Sequence, residues 1–133
     1  MIHRVISEST SDDRGRISDI FYKEKIDHVA IIESYEKGVI RGNHYHKNTT
    51  QHIFMTKGSL RYWYKDLKND GEISWIVIGP YSLVTTPPYE VHALEILEYC
   101  EFVVFSSGTR GGRDYESDTF RDVKILTEDM LIG

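Results

Sequence analysis

His44 and His46 are separated by a single residue. On a β-strand such residues point to the same side. Their ring nitrogens then lie close enough to share a metal ion or a substrate. Three of the six histidines fall between residues 44 and 52. His52 adjoins Gln51, so on a strand the two side chains face opposite ways. His3 and His28 have no partner at a useful spacing and read as incidental. Arg41 stands just before the pair, and its planar fork suits oxyanions. The plainer reading of Arg41 is a solvated charge at a strand edge, and Lys47 reads as a surface lysine. Tyr35, Tyr62, Trp63 and Tyr64 are aromatic groups able to stack on a base or sugar, or simply to fill a core.

Other chemistries find little support. Ser106-Ser107-Gly108 lacks the pattern of a nucleophile elbow. Cys100 lies beside the apolar run 102–105 and reads as a packing residue. The stretch Gly108 to Gly112 lacks the lysine and the strand-to-helix setting of a phosphate loop. Asp114, Glu116 and Asp118 read as an exposed acidic loop.

The elements that must hold these groups are short bursts of apolar and β-branched residues. They run over 28–33, 51–55, 60–65, 74–78, 82–86 and 102–105. Each has high β propensity. Within 60–65, alternation puts Leu60, Tyr62 and Tyr64 on one face. Turn signals separate the bursts: Asp12-Asp13-Arg14-Gly15, Lys57-Gly58, Asn69-Asp70-Gly71, Gly79-Pro80 and Pro87-Pro88. Asp70-Gly71 predicts a hairpin. Many short strands at spacings near ten residues predict an all-β sandwich or barrel. Helix is confined to a short piece near 127–131. Residues 7–16 read as a surface turn. The polar stretch 106–121 reads as a loop that is disordered or folds over an opening or a partner subunit.

A chain of 133 residues corresponds to about one domain. Sixteen basic against 21 acidic residues give a net charge of −5. That excludes the basic surface of a nucleic-acid binder and argues against docking on anionic lipid. A hydrophobic content of 40% is too high for a disordered chain. No apolar run reaches membrane-spanning length. One cysteine closes no internal disulfide, and residues 1–8 lack the apolar stretch of a signal peptide. A cytoplasmic location is the expectation.

Two spacings carry a family resemblance. Gly38, His44, His46, Gln51 and Gly58 reproduce G-x5-H-x-H-x4-E-x6-G, with Gln51 in the acidic position. Pro87-Pro88-Tyr89-Glu90-Val91-His92 has the spacing P-x-G-x-x-H, with Tyr89 in place of the glycine and Ile96 where asparagine is usual. The chain thus resembles a single-domain cupin, an antiparallel jelly-roll β-barrel. Its core would span about 30–107 and its tail 108–133. The run Arg41-Gly42-Asn43-His44-Tyr45-His46-Lys47 resembles cupins that act on nucleotide-linked 4-keto sugars. These are the dTDP-sugar 3,4-ketoisomerases and the cupin half of capsule-forming sugar epimerases. Asp13-Arg14-Gly15 is similar to the D-x-R-G opening of dTDP-sugar epimerases. Residues 92–106 and 115–120 resemble the barrel end and tail of these groups.

The resemblance implies an isomerase or epimerase of a nucleotide-linked 4-keto-6-deoxy sugar in surface polysaccharide synthesis. A C4 ketone acidifies the C3 hydrogen, because the carbanion becomes an enolate. Histidine, near pKa 6.5, suits the proton transfers. The resemblance assigns them to His44 and His46, with Arg41 meeting a phosphate or the ketone. Tyr35, Tyr62 and Tyr64 are candidate substrate contacts. Because the chain is acidic, an anionic nucleotide sugar needs local cations such as Arg41. The cupin spacing also implies a divalent metal set of His44, His46, Gln51 and His92, for zinc, iron, manganese or nickel. Glutamine offsets none of the metal's charge, so that set is weakened. The alternatives are a non-catalytic cupin that binds a sugar, effector or metal, and a metal-dependent dioxygenase, against which Gln51 counts. Such small cupins commonly pair as homodimers.

Overall fold

A computed structural model of the chain describes residues 1–7, 9–108 and 116–131. Gly111, Gly112 and Asp114 lie outside the described residues. Among the described residues eleven strands form, in the order β1 (Ile2–Val5), β2 (Thr10–Asp12), β3 (Gly15–Ile17), β4 (His28–Ser34), β5 (Ile40–His44), β6 (Thr50–Lys57), β7 (Leu60–Asp66), β8 (Ser74–Ile78), β9 (Ser82–Thr86), β10 (Glu90–Ile96) and β11 (Cys100–Ser107). All pairings are antiparallel. A five-stranded sheet runs β1-β9-β6-β11-β4 and a four-stranded sheet runs β5-β10-β7-β8. This is the all-β, antiparallel architecture expected from the strand spacing. The six predicted runs all lie within strands. The helical piece is a single 3-10 turn at Glu128–Met130. Residues 10–17 are an exposed hairpin, β2–β3, where a surface turn was expected.

Alternation builds the core. On β11, Cys100, Phe102, Val104 and Ser106 point inward and are buried, while the residues between them are half-exposed. Leu60 and Tyr62 of β7 meet Phe102 and Met55 in the same cluster, with Tyr64 packed against it. The three residues of 60–65 predicted to share a face do so. Trp63 points to the other side of its sheet and joins Val91 and Ala93. That outer face is covered by Ile125 and Leu126 of the chain's tail. Burial on both faces explains why every residue of β10 is buried. Glu95 sits on this covered face and is neutralised by Arg61 at 2.7 Å and by the Trp63 indole N–H at 3.0 Å.

Gly58 and Tyr89 are among the positions with left-handed backbone. At Gly58 φ is +74° and a Cβ would lie 2.0 Å from the Tyr99 carbonyl oxygen, so no side chain fits. Tyr89 keeps φ at +64° although it replaces the expected glycine. Its strain is held by Tyr89 N–H donating to His46 O at 2.7 Å and Leu67 N–H donating to Tyr89 O at 2.9 Å.

Candidate functional site

The run from Arg41 to His46 is positioned by a β-bulge. Along β10, His92 pairs with His44 but the next residue, Ala93, pairs with Gly42. Asn43 is therefore the extra residue, and both Gly42 and Asn43 take positive φ. A Cβ on Gly42 would meet His92 O at 3.0 Å. The Asn43 side chain turns outward and bonds the tail. Its Nδ2 donates to Leu126 O at 2.6 Å, and its Oδ1 accepts from Ile125 N at 2.8 Å. Inserting one residue restores the inward direction at His44. Arg41 and His44 then line one cavity, where plain alternation would place them on opposite faces.

His44, His46 and His92 form one buried cluster. Ring centroids lie 4.7 Å apart for His44–His92, 5.0 Å for His44–His46 and 5.4 Å for His46–His92. His92 also stacks on Tyr62, with centroids 6.4 Å apart and rings 2° from parallel. His46 Nδ1 lies 2.7 Å from the Asp118 carbonyl oxygen and His92 Nδ1 lies 3.2 Å from that of Glu90. A carbonyl oxygen only accepts, so Nδ1 of each ring carries the proton and Nε2 is the acceptor nitrogen.

Asp118 was expected in an exposed acidic loop. It is instead buried, with 2% exposure. Its carboxylate accepts from Lys47 N and Asn48 N at 2.9 Å each and from the Thr49 hydroxyl at 2.7 Å. Burial alone would raise its pKa. The hydroxyl and the two amides outweigh that and hold it below the usual carboxylate value. The Asp118 side chain therefore fixes the loop after His46 while its carbonyl orients the ring. No local pattern in the sequence signals this long-range role. Glu116 is exposed, as expected, and pairs with Arg121.

The cavity beside the histidines has a volume of about 320 Å³. That is at the small end of the roughly 300–1,000 Å³ typical of small-molecule sites. It lies where the two sheets end, at β4 and β5. Its polar lining is His28, Arg41, His44, Gln51, His92 and Ser106. Its apolar lining is Ala30, Ile32, Ile53, Leu94, Phe102 and Val104. Among the described residues, no carboxylate lines it. Arg41 ties the sheet edges together, with Nε donating to Ser34 Oγ at 3.2 Å and Nη2 donating to Glu33 O at 3.1 Å.

Several expected site residues lie elsewhere. His46 is buried behind His44 and does not line the cavity. Tyr35 is 71% exposed and stacks on Tyr99 outside it. Tyr62 is fully buried, bonded to the Thr86 hydroxyl and to Glu90. Its pKa is driven well up by burial and by the Glu90 carboxylate. Tyr64 packs against the core. Tyr62 and Tyr64 therefore take the core role that strand spacing also allowed, and the apolar cavity wall is aliphatic apart from Phe102. Conversely, His28 and Ser106 line the cavity although spacing singled out neither. His3 stays incidental, on Ser82 Oγ at 3.2 Å. His52 faces the outer side, with Nδ1 2.8 Å from Thr85 Oγ1 and its ring against Phe21.

Ser106 Oγ is buried and makes no hydrogen bond. Such a group costs about 1–3 kcal/mol.

The imidazoles fit a divalent metal. One nitrogen from each of His44, His46 and His92 lies within 4.8 Å of the others. The carbonyls behind His46 and His92 supply the supporting hydrogen bonds common around ligating histidines. Gln51 lines the same cavity and would be at most a neutral oxygen donor.

The sequence profile of the polysaccharide biosynthesis C-terminal domain family matches residues 10–120. No curated protein sequence matches the chain. Among solved structures, the chain is similar to the sugar 3,4-ketoisomerase QdtA from Thermoanaerobacterium thermosaccharolyticum in complex with TDP. Identity is 21%, covering 91% of this chain and 87% of that one, at a TM-score of 0.73. It is similar to the TDP-quinovose 3,4-ketoisomerase WlaRB from Campylobacter jejuni, at 18% identity, 90% and 92% coverage and a TM-score of 0.74. It is also similar to the dTDP-4-dehydrorhamnose 3,5-epimerase from Sulfolobus tokodaii, at 21% identity, 77% and 68% coverage and a TM-score of 0.66. At these identities the likeness establishes the cupin jelly-roll fold. With the family profile covering most of its length, the chain belongs to the polysaccharide biosynthesis C-terminal domain family.

Proposed function

We propose that the protein isomerises or epimerises a nucleotide-linked 4-keto-6-deoxy sugar in surface polysaccharide biosynthesis. The observation that carries this reading is the pair His44 and His92. Their rings are 4.7 Å apart and both line one small cavity that no carboxylate of the described residues lines. A 4-keto sugar there loses its C3 proton to one imidazole, and the enolate is reprotonated by the other. Return of a proton to C3 from the opposite side gives epimerisation. Delivery to C4, with loss of the O3 proton, moves the ketone. His46 orients the pair from behind. Arg41, at the exposed rim, meets the phosphates of an anionic nucleotide. The solved relatives named for TDP-sugar chemistry support this substrate class. The working unit is a homodimer.

Incubation in D2O with a panel of dTDP- and UDP-4-keto-6-deoxy sugars tests the reading. Deuterium at C3, C4 or C5, with a new product by NMR, is the expected result. No exchange and no product across the panel overturns it.

A second reading rests on the three clustered imidazoles. The protein holds a divalent metal on His44, His46 and His92 and binds a small molecule beside it. The metal would act as a Lewis acid toward a carbonyl oxygen. Elemental analysis of untagged protein separates the readings: stoichiometric zinc, iron or manganese favours the metal, and its absence after loading removes it. Oxygen uptake by iron-loaded protein would indicate a dioxygenase instead.

A further inference from the structure

Ser106 is 1% exposed, its hydroxyl has no hydrogen-bond partner, and it lines the cavity. Buried polar groups are almost always satisfied, so an orphan aimed into a cavity points to a ligand. Ser106 is not alone. It pairs in register with His28 on β4 and with Gln51 on β6, and both of those line the cavity too. Directly paired residues on antiparallel strands face the same way. Three neighbouring strands thus present one polar row. The next inward row along the same strands is Ala30, Val104 and Ile53, wholly apolar. Polarity changes within one step of about 7 Å.

The polar row continues to the histidines. Gln51 pairs with Thr86, whose hydroxyl meets Tyr62, and the Tyr62 ring stacks on His92. The polar row of one sheet therefore leads to the His92 end of the other. Arg41 lies further along, in register with Leu94 rather than His92.

We infer that His28, Ser106 and Gln51 form a hydroxyl-binding shelf that holds the sugar ring for His44 and His92, while the aliphatic row beside it receives an unhydroxylated carbon. This rests on the proposed sugar-nucleotide activity and adds what the ring is held by. The three groups offer a hydroxyl, an imidazole and an amide, each able to donate and accept. That suits sugar hydroxyls, which do both. The aliphatic row would leave an extra hydroxyl unpaired, so the shelf selects a 6-deoxy sugar over its 6-hydroxy counterpart.

The test is Ser106→Ala, read by thermal melting and by steady-state kinetics on the turned-over 4-keto-6-deoxy sugar nucleotide. Removal of an orphan hydroxyl raises the melting temperature. Loss of a neutral hydrogen bond to substrate raises KM about fivefold, with kcat within about twofold. A merely structural serine would leave KM unchanged, and that outcome overturns the shelf. Gln51→Leu and His28→Phe should raise KM in the same sense; unchanged KM in both also overturns it. If wild-type protein turns over nothing, the activity proposal fails separately. Calorimetric binding of the sugar nucleotides then decides the shelf: affinity about fivefold weaker in Ser106→Ala supports it, and equal affinity, or no binding to wild type, overturns it.

Discussion

Arg41 and His44 line the same cavity although three positions separate them, because Asn43 is bulged out of β5. The spacing of the run is thus a statement about the bulge. One extra residue lets a cation and an imidazole face inward together. The same residue anchors the tail on the opposite face.

The anchor is testable. Asn43→Ala removes acceptance from Ile125 N and donation to Leu126 O. The expected loss is about 1–3 kcal/mol. Hydrogen exchange at Ile125 and Leu126 should accelerate before exchange in β10 does. Gly42→Val should cost at least as much, through its left-handed φ and the close His92 carbonyl.

The acid–base pair should be His44 and His92. Replacing either by asparagine should lower kcat by about 10²–10⁴-fold. His46→Asn acts through ring positioning and should cost less. Equal loss at His44 and His46, with His92 dispensable, would return the proton transfers to the two adjacent-in-sequence histidines.

Asp118→Asn puts an amide where two backbone N–H groups and a hydroxyl now donate. About 2–3 kcal/mol should be lost, since hydrogen bonds to charged groups are worth about 1.5–3. Thermal melting should fall, by roughly 3–5 °C per kcal/mol at this chain length. Glu128→Gln, on the exposed 3-10 turn, should change melting by no more than about 0.5 kcal/mol.

Tyr99 donates to Glu33 Oε2 at 2.8 Å, and this bond to a carboxylate, helped by desolvation, pushes the phenol from 10.0 up to about 12. Because the folded form ionises later, this contact's stabilisation is complete below pH 10 and is lost as pH rises toward 12. Glu33→Gln should bring the Tyr99 titration back toward 10, followed by carbon NMR of labelled tyrosine. An unchanged midpoint would remove Glu33 as the cause.

Cobalt titration checks the metal reading. Wild-type protein and His52→Ala should give the same visible spectrum, because His52 faces away from the cluster. His92→Ala should abolish it.

The strands and their period were legible from the order of the residues alone. Short β-branched runs between glycine and proline turns leave few architectures, and 60–65 shows its faces in its alternation. The cupin spacings also led to His44, His46 and His92. What local pattern could not show was which side chains reach the cavity. Tyr62 and Tyr64 share a face with Leu60, but that face meets Phe102 and leaves no opening.

Residue order by itself determined the β class, the histidine spacing and the places of the turns, because period and turn preference are local properties. Tertiary structure alone decided the rest. Asp118 lies 70 or more residues from its amide donors, Lys47 and Asn48. His28, Ser106 and Gln51 meet only through the register of three strands. Burial, partner and register depend on which distant strands pack together, and one residue's neighbours in sequence do not carry that information.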